Sequence, residues 1–141
     1  MGKILAFEDV EIGQGLKPVK EHITQESIKT YAEASGDFNP LHVDPSWAQK
    51  NSPFGGTIAH GLTSLAFISR LMGDHFGRAW FLGGTMEVSF KQPVKPGDVI
   101  AAKAKVIGKK IVNDKKVLEI SIFVENQKRD TVINGTAKIT F

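Results

Sequence analysis

Apolar residues recur with a period near 3.6 in the first half of the chain and with a period of 2 in about its last sixty residues, and that change marks where helix gives way to sheet. Leu118, Ile120, Ile122 and Val124 alternate with Glu119, Ser121, Phe123 and Glu125, while Ile133, Ala137, Ile139 and Phe141 alternate with Asn134, Thr136, Lys138 and Thr140. Alternation of this kind predicts half-buried antiparallel strands. Met86, Val88 and Phe90 predict a third strand and Val99 to Ile107 a fourth, with Pro93-Val94-Lys95-Pro96-Gly97-Asp98 as the turn between them. Upstream, residues 3–22 hold a short strand pattern broken by Gly13, Gly15 and Pro18. Thr24 is the N-cap of a predicted helix over residues 25–34, and Pro45, at a first helical position, starts a short helix through Trp47 and Ala48. Gly55-Gly56-Thr57 then opens a long segment to Gly73, with Ile58, Ala59, Leu62, Leu65, Ala66, Phe67, Ile68, Leu71 and Met72 on nearly every side. A helix apolar all round is predicted to be buried, so Leu62→Ala is expected to open a core cavity at a cost of about 2 to 5 kcal/mol. One buried helix with four strands behind it predicts an α+β fold, an antiparallel sheet curled around the helix.

Composition narrows the class. At 141 residues the chain suits a single domain spanning 1–141, large enough to bury roughly two thirds of its unfolded surface without disulfides or a structural metal. The absence of cysteine excludes a thiol nucleophile, a zinc-thiolate site and a disulfide scaffold, and fits a reducing compartment. Residues 1–9 lack the apolar core and cleavage site of a signal peptide, and no segment approaches the roughly 18 apolar residues of a membrane span. The expectation is a soluble, cytoplasmic protein with no membrane partner. The formal net charge of +3 comes from scattered lysines, which indicate anionic ligands no more than a solvated surface. Nucleic-acid binding would rest on that charge alone, without an aromatic and basic stripe. No Gly-rich phosphate loop or dinucleotide fingerprint is present, so neither NAD, ATP, flavin nor any other cofactor is expected.

Candidate chemistry concentrates in Ser35-Gly36-Asp37-Phe38-Asn39-Pro40-Leu41-His42-Val43-Asp44. An Asp and a His around an Asn-Pro turn can hold one water between them and move its protons, provided both side chains point into one cleft. Asp37 and Asn39 also suit a purely conformational role, bonding their own backbone beside the proline. The run resembles the (S/T)-G-D-x-N-P-x-H signature of the MaoC-like dehydratases and R-specific enoyl-CoA hydratases. The resemblance extends to Ile58-Ala59-His60-Gly61-Leu62 and to the run from Ser89 to Val99, and so covers nearly the whole chain. It implies the hot-dog fold that the strand and helix pattern describes. It also implies Asp37 and His42 as the catalytic pair, Gly61 as a backbone oxyanion donor, Ser69 in the lining of an acyl tunnel, and syn hydration of a trans-2-enoyl thioester to the R-3-hydroxyacyl product.

The chemistry of that reaction asks for the same two kinds of group. Water adds poorly to the C2–C3 double bond unless a base takes its proton during attack on C3 and the charge reaching the thioester oxygen is stabilised. Gly61, with no Cβ to shield its N–H, suits the second need. Asn39, Ser69, Arg70 and Lys91 are candidate substrate-binding residues; Arg70, the only charge deep in an otherwise apolar helix, and Lys91, with Lys95 and Arg78, are candidates for the phosphates of an acyl-CoA thioester. His60 reads as a structural partner of the Asp37 loop and Asp44 as the cap of the following helix. Asp37, His42 and Asp44 form no convincing metal site, because a further ligand is missing, and no metal is expected. A homodimer is expected, since pairing would cover an exposed edge strand. The alternatives are a 3-hydroxyacyl thioester dehydratase, a hot-dog thioesterase, or a non-catalytic subunit that binds acyl thioesters.

Overall fold

The computed structural model describes residues 2–141, and its sheet has five strands where the alternation predicts four: β1 (Val19–His22), β2 (Gly84–Phe90), β3 (Val99–Val112), β4 (Lys115–Glu125) and β5 (Thr131–Thr140). They pair antiparallel in the order β1-β3-β4-β5-β2. β1 comes from the broken pattern of residues 3–22, and Gly15 adds a bridge to Lys105 before it. The remainder of that region holds a 3-10 turn at Phe7–Asp9.

Register follows the apolar rows. Leu118, Ile120, Ile122 and Val124 of β4 are buried and lie opposite Ile139, Ala137, Gly135 and Ile133 of β5. Gly135 interrupts its row because a Cβ there would sit 2.0 Å from the Glu87 carbonyl oxygen of β2. β3 runs past Ile107 to Val112 and turns back through Asn113 and Asp114, both with positive φ. That is the two-residue hairpin turn whose twist matches its strands.

Five helices join the strands: α1 (Gln25–Ser35), α2 (Pro40–Val43), α3 (Pro45–Asn51), α4 (Gly61–Phe76) and α5 (Arg78–Gly83). Thr24 caps α1 as expected, accepting from Ser27 N–H, while the Ser27 hydroxyl oxygen accepts from Thr24 N–H, both at 3.0 Å. The pattern does not predict α2 or α5, which are too short to show a period.

The long helix differs from expectation in two respects. It begins at Gly61, not near Thr57. Ile58 and Ala59 are apolar because they form a part-buried connector whose N–H groups donate to Leu41 O (3.2 Å) and Val94 O (2.7 Å) instead of entering a helical ladder. Nor is α4 buried all round. Ile68, Leu71, Met72 and Phe76 are buried among the apolar side chains of β3, β4 and β5, but Leu62 is 58% exposed and Ala66, Arg70 and Asp74 also face out. The result is the hot-dog arrangement with one side of its central helix open. Among the described residues no helix is long and apolar enough to cross a membrane.

Candidate active site

Local bonds build the Asp37 loop. Gly36 ends α1 in the left-handed conformation, φ +77°, with its N–H donating to Ala32 O at 2.8 Å; a Cβ would disfavour that turn. Asp37 follows at once. Its Oδ1 accepts from Asn39 N–H at 3.2 Å, and Asn39 Oδ1 accepts from Leu41 N–H at 3.0 Å as the N-cap of α2. These are the turn-forming bonds of Asx residues, and here they aim the loop: Pro40 starts the single turn of helix that carries His42. His42 Nδ1–H donates to Ile58 O at 2.7 Å. Since a carbonyl can only accept, Nε2 is the ring atom left for chemistry. Gln25 ties the far side, with Nε2 donating to His42 O at 2.8 Å and Oε1 accepting from the Thr57 hydroxyl at 2.5 Å. Nothing in the sequence pattern points to Gln25, because its role depends on two segments folding back to it.

His60, the N-cap of α4, joins the pair. Its Nε2–H donates to the Asp37 carbonyl oxygen at 2.9 Å and lies 3.9 Å from Asp37 Oδ2. Its ring stacks on that of His42 with centroids 3.8 Å apart and planes at 26°. One donor atom from each of Asp37, His42 and His60 falls within 4.8 Å of the others, so the further ligand that Asp37, His42 and Asp44 lack has a spatial counterpart in His60. The ring bonds weigh against a metal: His42 Nδ1 is committed to Ile58 O and the His60 nitrogen that faces Asp37, Nε2, to Asp37 O, while the remaining His60 nitrogen, Nδ1, is buried; a catalytic zinc site takes three protein ligands. Asp44 stands apart, capping α3 through Trp47 N–H at 2.9 Å.

Beside the loop lies a largely apolar cavity of about 320 Å³, walled in part by Phe54, Ile58, Gly61, Ser64, Phe90 and Lys91. Asp37 and His42 are not among its walls; Ile58, which receives the His42 bond, links the two. Gly61 is the first residue of α4, where N–H groups have no partner within the helix. A Cβ on Gly61 would come within 2.9 Å of the Phe90 ring, so glycine lets that ring close over the helix start. Ser64, buried and in the cavity wall, is a polar group the sequence reading passes over.

Two candidates do not join this site. The Ser69 hydroxyl accepts from the Trp80 indole N–H at 3.2 Å and does not line the cavity. Arg70 is not deep. It pairs with Glu21 at 2.7 Å and Asp74 at 3.9 Å, at a separate groove shared with Lys17, Lys20 and His75. Nine residues beyond Gly61, it lies about 13 Å along the helix and half a turn around it. Of the other cations, Lys91 reaches the cavity and Lys95 lines two grooves that share Phe54 with it, while Arg78 is exposed at the start of α5.

A helix wrapped by an antiparallel sheet, with an Asp and His loop at the helix start, defines the hot-dog hydratases and dehydratases as a class. The model of the MaoC like domain matches residues 8–128, and the chain belongs to that family. It is 36% identical over 110 residues to an (R)-specific enoyl-CoA hydratase of Rhodospirillum rubrum, covering 78% of this chain and 74% of that one. It is 33% identical over 104 residues to a 3-hydroxybutyryl-CoA dehydratase of Methylorubrum extorquens, covering 74% of this chain and 65% of the relative. Among solved structures, the unliganded R-hydratase PhaJ1 of Pseudomonas aeruginosa superposes with a TM-score of 0.80 at 29% identity, over 94% of this chain and 83% of that one.

Proposed function

We propose that this chain hydrates trans-2-enoyl-CoA thioesters to (R)-3-hydroxyacyl-CoA, reversibly, with Asp37 and His42 as its catalytic pair. The observation that carries the reading is the placement of the Asp37 carboxylate and His42 Nε2 on one braced loop beside an apolar cavity and the free N–H groups of a helix start. In the hydration direction, one of the two groups accepts a proton from water as its oxygen bonds C3. The π electrons move toward the thioester oxygen, where the Gly61 N–H stabilises the charge. The other group orients the water or delivers a proton to C2, and the proton taken from the water then restores that donor, so the net addition is the H and OH of one water. Because one loop holds that water, both additions occur on the same face. Dehydration of a 3-hydroxyacyl thioester is this path reversed.

The apolar cavity accepts the thioester end of the substrate, and Lys91 in its wall and Lys95 in the adjoining grooves are the cations offered to its phosphates. A homodimer completes the pocket, and the mechanism uses no cofactor. Incubation with crotonyl-CoA tests the reading. Loss of the conjugated thioester absorbance with formation of the R product supports it; release of free CoA would replace it with a thioesterase, and no turnover would leave a binding subunit.

A further inference from the structure

We propose that His60 is a positioning residue for Asp37 and His42, an inference that rests on the hydro-lyase reading above. His60 is the one ionisable side chain buried among the described residues, 3% exposed. A polar ring in that setting is costly unless its contacts repay desolvation, and its principal contacts serve the site. Nε2–H bonds the Asp37 carbonyl at 2.9 Å, one ring face covers His42 at 3.8 Å, and Tyr31 packs on the ring at 4.7 Å.

Hydrogen bonding fixes its tautomer. The Asp37 carbonyl only accepts, so Nε2 carries the proton; Nδ1 is buried without a partner, and a proton there would be an unpaired buried N–H. His60 is therefore held as the Nε2–H tautomer, in one orientation. Two consequences follow for the reacting groups. The Asp37 peptide cannot rotate without breaking the 2.9 Å bond, which sets the direction of its carboxylate. The His42 ring is clamped between the Ile58 carbonyl along its edge and the His60 ring on its face, which sets the direction of Nε2. His60 donates no proton to the reacting atoms in this arrangement, because its ring N–H is already given to the main chain. Displacements of about 1 Å at a reacting group reduce rate about a hundredfold, so a side chain that acts only through two others still controls turnover.

Two variants separate the contributions. His60→Phe keeps a ring against His42 and removes the donor; His60→Gln keeps an N–H near the Nε2 position and removes the ring. The measurements are kcat and KM for crotonyl-CoA, per folded molecule, and the imidazole NMR resonances of His42 in the substrate-free protein. Positioning predicts that His60→Phe lowers kcat about ten- to a hundredfold with KM nearly unchanged, that the His42 resonances shift, and that His60→Gln recovers part of kcat. The inference is overturned if either folded variant keeps kcat within about twofold and leaves the His42 resonances in place. Should His60→Phe fail to fold, His60→Gln decides through the same resonances. The NMR arm is independent of turnover, so an inactive wild-type protein would reject the hydro-lyase reading while His60 positioning was still judged on its own.

Discussion

Asp37 and His42 are held by different means, and the difference sets what each substitution should do. Asp37 is 54% exposed at its side chain and is braced through Oδ1 on the Asn39 N–H; asparagine can keep that bond while losing the carboxylate. His42 is braced through Nδ1 on Ile58, and alanine removes a ring that lies outside the apolar core and stacks on His60. Asp37→Asn and His42→Ala should therefore each lower crotonyl-CoA hydration at least about a hundredfold, the lower end of what general acid/base groups contribute, with the melting temperature nearly unchanged. Near-normal turnover in either folded variant would remove that residue from the mechanism. This pair was legible in the sequence because both residues sit around one Asn-Pro turn, so local chemistry alone places them together. His60 was legible only as a partner of the loop. Its stack on His42 and bond to Asp37 cross 23 positions of chain for the latter, and no periodicity encodes a contact of that kind. Arg70 misled for a related reason: an isolated charge in an apolar run reads as deep, but a helix has an outer face, and Glu21 and Asp74 meet it there.

At the level of elements, α4 shows the limit of apolar patterning. β4 could be read directly because a strand with one buried face alternates strictly, and each of Leu118, Ile120, Ile122 and Val124 is indeed buried; β5 departs from its alternation, with Val132 and Ile133 both buried and Phe141 exposed beyond the strand. A run such as Ile58 to Met72 is apolar for two reasons that periodicity cannot separate. Part of it meets the sheet, and part is connector or open helix face. Positions on the two faces should respond differently to the same truncation. Ile68→Ala removes a side chain that is 1% exposed and should cost about 2 to 5 kcal/mol in denaturant unfolding. Leu62→Ala, on the open face, should cost less than about 1 kcal/mol under conditions where the protein is monomeric. Comparable losses at both positions would mean that the exposed face is covered within a single chain.

For the molecule as a whole, that open face is the feature a lone chain leaves unexplained. Leu62 and Phe90 are exposed at the start of the helix and the end of β2, Phe81 and Leu82 are each 73% exposed on α5, and β2 is an edge strand with one unpaired side. A second copy docked along this surface would cover the apolar groups and the strand edge together. It would also stand beside the cavity that Gly61 and Phe90 wall, which is the physical ground for a shared pocket. Dilution should then dissociate the assembly and reduce activity per chain in parallel; constant specific activity across dissociation to folded monomers would place the whole pocket within one chain. The most direct test of the central claim, one water held by Asp37 and His42 on one face of the substrate, is hydration of crotonyl-CoA in D2O with the product configuration read by NMR. The account predicts 3R product carrying one deuterium at C2, added to the same face as the hydroxyl. An anti product, or deuterium scrambled over both C2 positions at first turnover, would contradict it.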